Sequence, residues 1–90
     1  MTTRREILSV WKKSLPIRGA NSGSYRKDAY GNTIRFASYG THGEYGWQVD
    51  HKNPLANGGS ESMRNKQPLH WKENLSKGSK YPYKRKRCTN

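Results

Sequence analysis

Three consecutive segments decide how this chain reads: Gly46-Trp47-Gln48-Val49-Asp50-His51, then Asn65-Lys66-Gln67-Pro68-Leu69, then Trp71-Lys72-Glu73-Asn74-Leu75-Ser76-Lys77-Gly78. The first reads as a strand running into a loop. That loop, residues 52–64, carries Pro54 and Gly58-Gly59, which break regular structure. The second segment reads as a short returning strand. The third is helix-like and stops at Gly78, a residue suited to the position just past a helix end. Fourteen residues separate His51 from Asn65 and nine separate Asn65 from Asn74.

The residue types at those positions suit phosphodiester cleavage. That reaction needs a base to deprotonate water, a cation to neutralise charge on the phosphate and the leaving oxygen, and a group that holds the base at the right angle. Imidazole titrates near neutrality, which fits His51 to the base role. Asp50 offers a hard carboxylate oxygen to Mg²⁺ or Mn²⁺, and Asn74 an amide oxygen to the same ion. Water and substrate phosphate would complete such a sparse protein shell. Neighbouring strand residues face opposite ways, so Asp50 and His51 need a twist or a strand end to converge. Asn65 can bond backbone groups through both donor and acceptor, and so can pin the loop that carries His51.

This set resembles the HNH nucleases. The likeness is strong over residues 44–78, through Asp50-His51, Pro54-Leu55, Gly58-Gly59, Asn65, Gln67-Pro68-Leu69, Asn74 and Ser76-Lys77-Gly78. The two intervals match spacings in the HNH domains of CRISPR nucleases. A weaker likeness, to small bacterial and phage HNH proteins, reaches upstream through Tyr25-Arg26-Lys27-Asp28-Ala29 and Ile34-Arg35 to Glu44-Tyr45. The resemblance implies an α+β fold with a ββα-metal (His-Me finger) core, here joined by an N-terminal helix and an additional β-hairpin. It implies His51 as general base, Asp50 and Asn74 as metal ligands, Asn65 as the residue orienting His51, and Lys77 near a phosphate. It implies 5′-phosphate and 3′-hydroxyl products. Two departures stand out. Many relatives hold a structural zinc between two CxxC pairs, whereas Cys88 is the sole cysteine here, so no structural zinc is expected. The last ligand is Asn where many relatives have His, and oxygen ligands favour Mg²⁺ or Mn²⁺ over Zn²⁺ or Ni²⁺.

Outside this stretch, Thr3 and Glu6 have capping-box spacing. Ile7, Leu8, Trp11 and Leu15 recur at helical intervals before Pro16, predicting a helix over residues 4–14. Residues 25–29 and 33–38 predict a hairpin about Tyr30-Gly31-Asn32. Trp47 and Trp71 are expected in the core, with stacking on bases as the alternative, and His70 as a cap or packed ring, with contact to phosphate or the metal's outer shell as its alternative. Glu44 and Arg35 are candidates for a supporting pair.

With 90 residues and 30% of them hydrophobic, the chain makes one small domain with a thin core. Eighteen Lys and Arg against six Asp and Glu give a net charge of +12, a field that draws polyanions. Double-stranded DNA is the expected partner, with RNA left open as substrate. Lys52, Arg64, Lys72 and Lys80 join Lys77 as candidate phosphate contacts, whereas Arg4, Arg5, Lys12 and Lys13 of the helix read first as a solvated face around a packed stripe, with phosphate contact as the alternative. The basic run Lys84-Arg85-Lys86-Arg87 lies in a tail, residues 80–90, expected to be poorly ordered. No apolar run approaches the roughly 18 residues of a spanning helix, and no signal peptide is evident, so a cytoplasmic, bacterial or phage-infected setting and no membrane partner are expected. One site per monomer favours nicking, with a monomer or weak dimer. Phage packaging proteins or an immunity protein are partners such domains can have. Two rivals stand beside the nuclease: a non-catalytic nucleic-acid-binding protein with the same charge, and a cationic membrane-active toxin.

Overall fold

Thr3 starts the first helix, α1 (Arg4–Trp11): its hydroxyl accepts from the Glu6 amide at 3.1 Å. Half of the capping box forms, because the Glu6 carboxylate turns away to pair with Lys66. The helix stops three residues before the sequence predicts, as Lys13 and Ser14 bond back three residues rather than four. Its buried face is Val10 and Trp11 with Ile7 beside them, while Leu8 and Leu15 are exposed.

The computed structural model describes residues 3–81 and 83. After α1 come β1 (Leu15–Pro16), β2 (Tyr25–Lys27), β3 (Thr33–Arg35), β4 (Trp47–His51), β5 (Lys66–His70) and α2 (Trp71–Lys77). The protein is a small α+β fold whose strands form two sheets, β1-β2-β3 and β4-β5, both antiparallel. The hairpin of β2 and β3 was legible in sequence, but β1 was not; it adds two residues to the edge of that hairpin. The Lys84–Arg87 run and Cys88 lie outside the described residues. Among the described residues no helix is long and apolar enough to cross a membrane.

Val10, Trp11, Ile34 and Trp47 make the core, with Phe36, Tyr39 and Val49 packed against it. Trp47 lies 5.3 Å from Trp11 and 5.0 Å from Tyr39, ring centre to ring centre. Full burial of each such side chain contributes about 1.5–3 kcal/mol. So few of them leave much of the fold to polar contacts, and Asp28 shows how. Fully buried, it accepts from the amides of Tyr30 and Asn32 within its own turn, from Asn32 Nδ2, and from the His70 amide where β5 meets α2. One carboxylate thus closes the hairpin and docks it on the second sheet. Asn32 Nδ2 also donates to Glu73 of α2 at 3.0 Å.

β4 and β5 pair from Trp47–His70 to His51–Lys66, and α2 follows β5 with no intervening residue. Every residue of β5 is buried, including Lys66, Gln67 and His70, because α1 and α2 both pack on it. Pro68 is tolerated because a strand in a two-stranded sheet has one side free of ladder bonds.

Candidate active site

Strand alternation divides β4 between two neighbours. Trp47 and Val49 enter the core. Gln48 and Asp50, two residues apart and therefore on one face, meet α2. Asn74 Nδ2 donates to Gln48 Oε1 at 2.6 Å, and Lys77 Nζ lies 3.4 Å from Asp50 Oδ1. Asn74 and Lys77, three residues apart, share the helix face that covers them. Gln67 of β5 donates to Asp50 Oδ2 at 2.9 Å. Asp50 is 7% exposed and Lys77 1%.

Lys77 Nζ also donates to the His51 carbonyl at 3.0 Å. This corrects the expected phosphate contact: the ammonium sits inside the fold, balancing Asp50 and tying the end of β4 to α2. The helix face it shares with Asn74 is the one pressed on the sheet, so its stem cannot point to solvent.

The His51 ring takes another direction. It is the last residue of β4, and its Nε2 lies 2.9 Å from Glu61 Oε1 in the following loop. Glu61 is 3.4 Å from Lys66 Nζ, which pairs in turn with Glu6 of α1. The hydrogen bond with His51, helped by Lys66, holds the Glu61 carboxyl below its usual range. The hydrogen bond to Glu6 holds the Lys66 ammonium above its own. Lys13 caps this corner by donating to the carbonyls of Met63 and Lys66. Its burial, with Lys52 and Lys66 near it, lowers its affinity for a proton. The Asp50 and His51 side chains therefore contact different neighbours, and the bond linking them runs through the His51 backbone and Lys77.

Asn65 closes the loop at its base. Its Oδ1 accepts from the Asn53 amide at 2.8 Å, and its Nδ2 donates to the carbonyls of Asn53 at 2.9 Å and Ser60 at 2.7 Å. The two glycines at the turn serve different needs. Gly58 has φ of 86°, which favours glycine. At Gly59 an added Cβ would lie 1.8 Å from the Asn53 carbonyl oxygen, so no larger residue fits. Beside this loop a polar cavity of about 420 Å³ is lined by Lys52, Arg64, Asn53 and Tyr81, among others.

The remaining expectations separate. Lys52, Arg64, Lys72 and Lys80 are exposed. His70 caps α2: Nδ1 accepts from the Lys72 amide at 3.1 Å and Nε2 bonds the Glu44 carbonyl at 2.7 Å. With both ring nitrogens engaged by backbone, it has none left to support a metal site. Arg35 and Glu44 do not pair, because the Arg35 guanidinium lies over the Tyr25 ring, 5.9 Å from its centre. Trp71 is not a core residue; half-buried, it donates to the Gly43 carbonyl at 2.7 Å and stacks on His42. Sequence reasoning passed over Gln48, Glu61 and Lys66. Gln48 carried a signal, standing two residues before Asp50 on a predicted strand; Glu61 carried none, since a loop carboxylate can point anywhere.

The donor set suits a hard cation in kind. Asn74 Oδ1 accepts no hydrogen bond from the described residues, and Asp50 Oδ1 has an ion pair but no hydrogen bond. Both are oxygen donors of the type Mg²⁺ and Mn²⁺ prefer. Lys77 already places one positive charge beside Asp50, which weakens the pull on a second cation.

No protein-family description matches the chain, and neither curated proteins nor solved structures yield a match.

Proposed function

We propose that the protein is a divalent-metal-dependent endonuclease of the HNH type, cleaving DNA phosphodiesters with His51 as general base. One observation carries this reading. Two antiparallel strands run directly into a helix that lays Asn74 over the strand face bearing Asp50, with His51 ending the strand and Asn65 closing its loop. That succession of two strands and a helix supports the reading, because it gathers residues whose chemistry suits the reaction.

Asp50 and Asn74 would hold the ion. When bound, a divalent cation supplies charge neutralisation for the phosphate and the departing oxygen. The chain's own residues do the rest. His51 removes a proton from water as its oxygen bonds to phosphorus. The bond from phosphorus to the 3′ oxygen breaks with its electron pair, and that oxygen takes a proton from solvent. Asn65 fixes the loop that follows the base. Lys77 pairs with Asp50 within the fold and holds the His51 carbonyl, so the base stands on a braced backbone. Lys52, Arg64, Lys72 and Lys80 contact neighbouring phosphates, a grip without sequence information.

A plasmid-nicking assay in Mg²⁺ or Mn²⁺, with chelator as control, tests the reading. The parent nicks supercoiled DNA in metal. His51→Ala, whose side chain is partly exposed, folds normally and loses about 10²–10⁴-fold in rate. Absence of metal-dependent cleavage by the parent, or equal rates for the two, overturns it. Binding without cleavage would leave a nucleic-acid-binding protein in its place.

A further inference from the structure

Glu61 stands 2.9 Å from His51 Nε2, in a loop whose sequence gives no reason for a carboxylate. A carboxylate accepts and does not donate, so the hydrogen between them belongs to Nε2. In the neutral ring that a base requires, this leaves the Nδ1 lone pair open. Among the described residues Nδ1 has no hydrogen-bond partner, and Asn53 Oδ1 is the one unpartnered side-chain atom that is buried; Nδ1 therefore reaches solvent. We propose that Glu61 is a positioning residue for the base: it fixes the His51 ring and its tautomer so that Nδ1 receives the proton from water. This rests on the nuclease reading above.

The surrounding contacts hold Glu61 where the role needs it. Lys66 Nζ lies 3.4 Å from the same carboxylate oxygen and is anchored by Glu6 of α1. The residue before Glu61, Ser60, gives its carbonyl to Asn65 Nδ2 at 2.7 Å. Glu6, Lys66, Glu61 and His51 thus form a chain of alternating donors and acceptors from the first helix to the base. Glu61 does not turn the corner against an anionic substrate, because Lys66, Lys13 and Lys52 are close by. The proton balance is simple. Nε2 keeps its hydrogen throughout, the proton from water goes to Nδ1, and it leaves to solvent after cleavage. Glu61 faces the ring while it carries that extra charge.

The test uses the full chain with Glu61→Ala and Glu61→Gln, at a site exposed enough to tolerate both. In the first readout, ¹⁵N and ¹H NMR of the His51 ring, the parent shows a slowly exchanging Nε2-bound proton and an unprotonated Nδ1. Glu61→Ala loses that protection, and Glu61→Gln, whose amide oxygen still accepts, retains part of it. In the second, plasmid nicking, Glu61→Ala lowers kcat about tenfold or more with KM within about twofold, and Glu61→Gln recovers part of the loss. An unchanged Nε2 proton in Glu61→Ala overturns the proposal. So does a rise in kcat, which would make Glu61 a latch that blocks the base. If His51→Ala nicks as fast as the parent, the base reading fails and takes the catalytic role of Glu61 with it. The NMR readout is independent of cleavage, so the two failures are told apart.

Discussion

Among single residues, Lys77 has most consequence for stability. Its ammonium and the Asp50 carboxylate are both nearly shut off from water, and removing one leaves the other buried and uncompensated. Such a loss costs about 3–5 kcal/mol, a large share of the roughly 5–15 kcal/mol that holds a domain together. Lys77→Ala should therefore unfold at much lower urea concentration than the parent. Asp50→Asn combined with Lys77→Met should recover most of the difference, since no lone charge remains. A single substitution costing less than about 1 kcal/mol would contradict the pairing. The chemical assignment of Lys77 to a phosphate followed from its place in a motif, and sequence spacing could not tell which way its stem runs. Burial decided that, through the helix face it shares with Asn74. His51 and Asp50 were legible as a pair of suitable residue types, but their separate neighbours were not. Those depend on where the loop places Glu61 and where α2 places Lys77.

At the level of elements, β4, β5 and α2 are legible in sequence nearly to their ends, because the loop of residues 52–64 separates the two strands and Gly78 ends the helix. The helix over residues 4–14 was read too long, and β1 was missed. Two residues with one proline carry no strand pattern, and β1 exists through its partner β2 alone. The full burial of β5 was equally invisible, since Lys66, Gln67 and His70 are polar and are covered because α1 and α2 both pack on the strand. Two expectations belong here. Asp28→Ala strips acceptors from three backbone amides and from Asn32, each worth about 1–3 kcal/mol when left buried. It should lower the melting temperature sharply and release the hairpin from β5, seen as lost amide protection in β2 and β3; a near-parental melt would contradict the docking role. The Lys66–Glu6 pair ties α1 to β5. Lys66 holds its proton above the usual 10.5, so its contribution is complete below that value and is lost as pH rises through the higher folded one. Tyr30, raised from 10.0 chiefly by burial, changes stability in the same direction over a similar range. Urea midpoints should fall with pH above about 10, and less steeply in Lys66→Met. A midpoint flat to the alkaline limit would remove both assignments.

The whole molecule carries a formal charge of +12 on 90 residues. The same field opposes compaction and, under the proposed function, would attract DNA, so salt should act in opposite directions on the two. Added salt screens self-repulsion and raises the unfolding midpoint. It also weakens binding. If Lys52, Arg64, Lys72 and Lys80 each neutralise one phosphate, log K falls against log salt with a slope of about −3.6, from roughly 0.9 per contact. Fluorescence anisotropy on a labelled duplex measures it, and a slope near zero would refute a phosphate-bound interface.

The closed base of the loop after His51 has a consequence for how such a protein can change. Asn65 grips Asn53 on both its amide and its carbonyl, and the Lys52 amide bonds the Asn65 carbonyl at 2.7 Å. The segment between them is joined to the sheet at a neck, and the pairing of β4 with β5 lies wholly on the other side of it. Lengthening a loop costs only about 0.6 kcal/mol for each doubling. The tip near Ala56 is therefore where the architecture can accept inserted residues while Asp50, His51 and Asn65 stay in place. If the proposed function holds, recognition of particular base sequences, which contacts to phosphate alone cannot provide, has a natural point of entry there.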